Sequence, residues 1–371
     1  MVFLATVQAK PILLTIGQFG VQHADFTETK KSFVATLYKL LSQSADRLDH
    51  FQDENLDGSQ RAGPPISTTF VAYWLHSSAY EAWKSSEPVK AFWASLPDDA
   101  GVWREVMTVP QSRFTHQSDQ DQPSGFGAVV GLTQSSDEGY WGVNRHRLSV
   151  TPDEFTAPDD TFVSDYVTTA KAHPDPSKKV IEIPSTYGSK IRLGRVRITN
   201  PPDNLAFFRD GQRLPGLPPA ELATWREKLS PLVRSWIGHL NTERNKRGVL
   251  SITTHIGRRR DPLPPIPSEE FDPAAELGYE DGADGSLPET NQLGYFLDLA
   301  HFELAGRSFK DHVTLVKSIF QLYGPGGAHG TGGKLFAFAE LAIVKGKDLD
   351  AEYIGCKEGT GLMLLADLSD N

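Results

Sequence analysis

The first third of the chain switches repeatedly between two hydrophobic periods. Ile12 to His23 is apolar and rich in β-formers, which predicts a strand. Thr29 to Ser44 carries Phe33, Leu37, Leu40 and Leu41 at helical spacing. Asp53 to Pro65 is polar and punctuated by Gly and Pro, as a loop would be. Thr68 to Trp74 reads as the next strand. Ser78 to Leu96 reads as a helix with Tyr80, Trp83 and Phe92 among its large apolar residues. Pro88 should kink or restart that helix. Val102 to Val109 closes the set as a strand.

The second half repeats the theme. Asn204 to Phe208 reads as a strand. Pro219 to Asn245 holds Leu222, Trp225, Leu229, Leu232, Trp236 and Leu240 as one helical stripe, with Pro231 as a kink point. Val249 to Ile256 and Leu293 to Leu299 read as strands. Phe309 to Tyr323 reads as a helix and Lys334 to Val344 as a strand. Each set is β-α-β-α-β, or β-α-β-β-α-β if one short strand escapes the pattern. Either order suits a ferredoxin-like unit, so the expected class is α+β with two ferredoxin-like halves. The halves also echo each other. Ala72-Tyr73-Trp74-Leu75 parallels Gly294-Tyr295-Phe296-Leu297, and Arg104-Glu105-Val106 parallels Ala339-Glu340-Leu341. Internal duplication explains this, although any two units of the topology share some pattern. Gln111 to Ser177 and Asp261 to Pro288 read as long loop-rich segments. The expected organisation is a first half over 11–110, a loop-rich connection over 111–195, a second half over 196–345 and a C-terminal segment over 346–371.

Composition narrows the function. The net charge is −10, which argues against a nucleic-acid footprint. The one basic run, Arg258-Arg259-Arg260, is followed closely by prolines and reads as a solvated loop. A single cysteine, Cys356, rules out an intramolecular disulfide and any multi-thiolate zinc or iron–sulfur site. No apolar run approaches the roughly 18 residues that a membrane span needs. The N-terminus lacks a secretory pattern. The expected setting is cytoplasmic, with no membrane partner and no nucleic-acid partner.

No dinucleotide, Walker or HExxH motif is present. The glycines from Gly324 to Gly333 fit a turn better than a phosphate loop. Histidine remains as the candidate for chemistry. His312 shares a helical face with Leu315, Val316, Ile319 and Tyr323. Such a histidine is most often a satisfied core residue. It can also be an axial haem ligand, since imidazole nitrogen binds haem iron and an apolar face covers a porphyrin.

Several stretches, in order along most of the chain, resemble the haem-containing aldoxime dehydratases. They are Trp103-Arg104-Glu105-Val106, Gly139-Tyr140-Trp141-Gly142 with Arg145 and Arg147, and Asn204-Leu205 followed by Arg209, Gly211 and Gln212. Gly248 with Ser251 follows, then Gly294-Tyr295-Phe296, Phe309-Lys310-Asp311-His312-Val313 and the strand at Glu340. The resemblance implies two ferredoxin-like halves forming a dimeric α+β barrel-like core, haem b with its iron, and a homodimer. It implies a lyase that converts an aldoxime, a small-molecule substrate, into a nitrile and water. By position, His312 matches the proximal haem ligand, Arg209 a distal arginine, and Ser251 a distal serine that hydrogen-bonds the oxime hydroxyl.

One position departs from the family pattern. Ala339 stands where the family carries a distal histidine. Alanine cannot donate a proton, so the resemblance implies impaired dehydration. Two replacement donors are open, His255 and His329. Two other functions stay open as well, a haem enzyme of the same fold with different chemistry and a non-catalytic haem-binding protein.

Overall fold

The computed structural model describes the chain apart from residues 1, 6, 8–11, 54–65, 136–143, 151–153, 169–178, 258–288 and 369–371. The first half contains strand β1 (Leu13–His23), helix α1 (Glu28–Ser42), strands β2 (Arg47–Asp53) and β3 (Ile66–Trp74), helices α2 (Ser77–Ser85) and α3 (Glu87–Ser95), and strand β4 (Val102–Pro110). Thr27 caps α1, its side chain accepting from the Lys30 N–H, which sets the helix start. The expected single helix from Ser78 to Leu96 is two. Ser86 between them is extended, and Pro88 lies in the first turn of α3, where a missing N–H costs little.

Strands β5 (Phe114–Ser118) and β6 (Ile191–Arg197) follow. The second half then contains β7 (Leu205–Arg213), α4 (Ser230–Thr242), β8 (Val249–Gly257), β9 (Glu289–Phe296), α5 (Leu299–Ser308), α6 (Lys310–Tyr323) and β10 (Phe336–Val344), and β11 (Leu349–Lys357) comes last. Among the described residues one sheet runs β6-β11-β4-β1-β3-β2-β8-β9-β7-β10-β5 and ends on the short strands Phe3–Leu4 and Thr133–Gln134. Its main-strand pairings are antiparallel. The halves meet where β2 pairs with β8, His255 opposite Asp53.

The structure sharpens the expected element pattern at four points. Gln111 to Ser177 is not all loop, because β5 lies inside it and pairs with β10. β5 is short and polar, with His116, Gln117 and Ser118 all buried by tertiary contacts that periodicity does not register. The C-terminal segment after residue 345 contributes β11, which pairs with β4 of the first half. Leu293 to Leu299 overruns its strand: β9 ends at Phe296, and Asp298 caps α5, a helix the pattern missed. β2 is the short strand that escaped the pattern, and Asp53 is its last residue. The expected loop at Asp261 to Pro288 lies outside the described residues.

Strand alternation separates the apolar residues into layers. On the inner side Leu14, Ile16, Val71, Tyr73, Leu205, Phe207, Tyr295 and Val344 from both halves share one core. Leu37, Phe70, Trp74 and Trp83 form a second core beneath α1–α3. Phe208, Trp236, Phe296, Leu315, Leu341 and Ile343 form a third beneath α4–α6. No helix among the described residues is long and apolar enough to cross a membrane.

Two tight turns press on buried carboxylates. Gly125 (φ +42°) and Gly361 (φ +48°) adopt the left-handed region. A Cβ at Gly125 would lie 2.2 Å from a Glu340 oxygen, and one at Gly361 would lie 1.6 Å from a Glu105 oxygen. Gly125→Ala and Gly361→Ala should each destabilise the fold by about 1–3 kcal/mol in urea unfolding. Gly332→Ala, in open space with no positive φ, should cost less than about 0.5 kcal/mol.

Candidate functional site

His312 lies in the first turns of α6. Its Nδ1 is 2.6 Å from the Gly306 carbonyl oxygen, which can only accept, so Nδ1 carries the proton. Nε2 therefore presents its lone pair, and it has no hydrogen-bond partner among the described residues. The Trp236 ring lies against the imidazole at 4.5 Å between centroids. Burial pushes the His312 pKa below the ordinary histidine value, despite the opposing Gly306 bond. A neutral imidazole whose far nitrogen is anchored on a backbone carbonyl is the usual arrangement of a metal-ligating histidine. The residues thus fit an iron-bearing cofactor at Nε2.

The faces of the sheet decide which residues can work with His312. In β7, Leu205 and Phe207 join the inner core, whereas Ala206 and Phe208 join the core beneath α4–α6. Asp210 continues the second set, on the side of His312. In β10, Leu341 and Ile343 lie on that same side. Ala339 has their parity, and it is the ladder partner of Asp210.

Arg209 points the other way. Its Nε donates to Asn291 Oδ1 at 3.0 Å and its Nη1 to Asp49 Oδ2 at 2.7 Å and to the Tyr73 hydroxyl. The Phe51 and Phe338 rings flank its guanidinium. Glu340 completes the cluster, accepting from Tyr73 at 2.5 Å, from the Phe126 N–H at 2.7 Å and pairing with His116 at 2.9 Å. Burial would raise the Glu340 pKa, but the His116 hydrogen bond and the Arg209 charge bring it below the ordinary value. Ser251 sits at a β-bulge opposite Tyr295 and lines a cavity of about 440 Å³ together with Gln18, Trp103 and Glu105. His255 lines the same cavity, 3.4 Å from Asp53.

The four positions singled out from sequence therefore separate. His312 and Ala339 share the helix-covered side, whereas Arg209 and Ser251 face inward. His329 is hydrogen-bonded to Thr224 at 2.9 Å beneath the Tyr323 ring. Gly139 to Gly142 lies outside the described residues, and Arg145 pairs with Glu303 at 3.0 Å. Sequence reasoning missed Asp210. Its signal was a carboxylate with the parity of the apolar Ala206 and Phe208.

A model of the haem-containing dehydratase family matches residues 17–362. The chain belongs to that family. This dehydratase is therefore an enzyme, a lyase with haem and its iron as cofactor. It is 20% identical over 370 residues to the phenylacetaldoxime dehydratase of Bacillus sp. (strain OxB-1), covering 96% of this chain and 89% of that protein. It is 23% identical over 300 residues to the aliphatic aldoxime dehydratase of Rhodococcus globerulus, covering 79% and 70% of the two chains. Its fold is similar to a crystal structure of an aldoxime dehydratase in complex with butyraldoxime. The TM-score is 0.67 at 19% identity, with 98% of this chain and 88% of that one covered. A second aldoxime dehydratase crystal structure has a TM-score of 0.69 at 20% identity, covering 98% and 90%.

The inner cluster gives a stability prediction. Burial alone would raise the Asp49 pKa, but the Arg47 and Arg209 charges overcome it and hold the carboxyl at about 2. Arg209→Met strands Asp49 and Glu340 and should cost the dehydratase about 3–5 kcal/mol at neutral pH. The Asp49 contribution is present above its unfolded value near 4 and fades as pH falls toward about 2. The gap between wild type and Arg209→Met in urea unfolding should narrow over that window. A gap that stays constant from pH 7 down to about pH 3 would contradict this account.

Proposed function

We propose that this dehydratase removes water from an aldoxime, R–CH=N–OH, to give a nitrile, with His312 Nε2 holding the haem iron. The observation that carries the reading is the His312 imidazole, neutral and anchored on Gly306 with its other nitrogen presented. The aldoxime class is supported by the relatives' activities. Bound ferrous haem would supply an electron-donating centre for the oxime nitrogen.

The protein's own share is to hold the cofactor, orient the oxime and move protons. The core beneath α4–α6 supplies apolar walls through Phe208, Trp236 and Leu341. Ala339 stands on this side and cannot donate a proton. Direct contact of Arg209 with the departing hydroxyl would require it to leave Asp49 and Asn291, so Arg209 instead fixes β7 from behind. Ser251 serves at the inner cavity. In fold terms we propose two ferredoxin-like halves forming one barrel-like core. The strand orders β4-β1-β3-β2 and β10-β7-β9-β8 support this assignment.

We also propose a homodimer. Among the described residues edge strand β6 pairs on one side only and leaves Ile191 49% and Leu193 67% exposed, an edge suited to a second copy.

Haem-reconstituted protein should show a Soret band and convert butyraldoxime or phenylacetaldoxime to its nitrile. His312→Ala should abolish or strongly weaken that band while the protein stays folded by circular dichroism. Wild-type protein that takes up no haem would overturn the reading. The chain should run as a dimer by light scattering at micromolar concentration. Leu193→Glu should shift it toward monomer.

A further inference from the structure

We propose that the Asp210 carboxyl is the proton donor to the departing oxime hydroxyl, in place of the histidine that the family resemblance puts at position 339. This inference rests on the aldoxime reading above and names the group that performs its acid step.

Asp210 is the ladder partner of Ala339 on one side and of Gln292 on the other. Neither ladder carries a bulge, so the three side chains form one row on the side covered by α4–α6. Directly opposed residues hold their Cβ atoms about 4.5–5.5 Å apart. A carboxyl at 210 therefore reaches into the space that a side chain longer than alanine would fill at 339.

The carboxyl is also unmatched. Its Oδ1 is buried and has no hydrogen-bond partner among the described residues. By contrast, Asp49, Glu105 and Glu340 each accept hydrogen bonds from side chains or backbone N–H groups. Burying a polar group without a partner is costly, and such groups concentrate where chemistry needs them. Burial pushes the Asp210 pKa up to about 8, and no neighbouring charge contributes. At neutral pH the group therefore holds a proton. Among the described residues the overlying helices carry His312, Tyr323 and the buried His301, the last hydrogen-bonded to Asp298. Glu221 lies nearby, with its carboxylate taken up by the Lys334 and Leu335 N–H groups.

The step balances without an external oxidant or reductant. Asp210 gives its proton to the hydroxyl oxygen. The N–O bond breaks with its electron pair on oxygen, and water leaves. The C–H bonding pair becomes the third carbon–nitrogen bond, and the proton released from carbon restores the carboxyl.

The test uses haem-loaded protein with butyraldoxime and phenylacetaldoxime. Asp210→Asn should lower turnover by about 10²–10⁴ while leaving the Soret band in place, and Asp210→Glu should recover part of the loss. Wild-type turnover should fall on the alkaline side with a midpoint near pH 8. Infrared difference spectra between about pH 6 and pH 10 should show a carboxyl C=O band titrating near the same pH, absent in Asp210→Asn. Ala339→His placed on Asp210→Asn should restore turnover, because an imidazole then supplies the proton. If wild type is active and Asp210→Asn is equally active, the donor assignment falls and the aldoxime reading stands. If haem-loaded wild type is inert on both aldoximes, the substrate reading fails and takes the donor assignment with it.

Discussion

Two buried glutamates hold the halves together, and they do so by reaching across. Glu340 on β10 takes the hydroxyl of Tyr73 from the first half. Glu105 on β4 is hydrogen-bonded by Tyr295 from the second half, and also by Tyr353 and the Leu362 N–H. The arrangement is a pseudo-twofold repeat. Phe126 N–H does for Glu340 what Leu362 N–H does for Glu105, each supplied by a turn that starts at a left-handed glycine. One exchange breaks the symmetry. Arg209 is the ladder partner of Glu340, whereas Gln18 is that of Glu105. With a guanidinium beside it, Glu340 is held below the ordinary carboxylate value. Glu105 has an amide instead, and burial pushes it up.

This inner network controls the opposite face. Successive strand residues point to opposite sides, so fixing Arg209 inward turns Asp210 outward. Fixing Glu340 inward does the same for Ala339. The polar interior thus sets the register of the surface beneath α4–α6, and a one-residue slip would reverse both rows. The added strands strengthen the lock, since β5 extends the second half and β11 the first. Each half is completed by the segment that follows the other.

The division of labour follows from dielectric surroundings. Around Arg209 the charged groups on the inner side neutralise one another and serve architecture. On the helix-covered side His312 and Asp210 have no ionic partner among the described residues. A histidine that ligates iron must be neutral, and a carboxyl that donates a proton must be protonated. Desolvation favours both states.

The sequence by itself determined most elements of the fold. Periodicity suffices where an element has one wet face and one dry face, as in α1. The paired motifs around Tyr73 and Tyr295, and around Glu105 and Glu340, hold residues that take matching places in the two glutamate networks. The family pattern singled out His312 and the anomaly at Ala339. Periodicity failed for β5, whose polar residues are buried by pairing with a strand more than 200 positions away. Only the tertiary structure decided which side of the sheet each site residue faces. Arg209 and Asp210 are neighbours in sequence, yet one is saturated by Asp49, Tyr73 and Asn291 and the other has a carboxyl oxygen with no hydrogen-bond partner among the described residues. That difference depends on contacts from β2, β3, β9 and β10, and no local spacing encodes them.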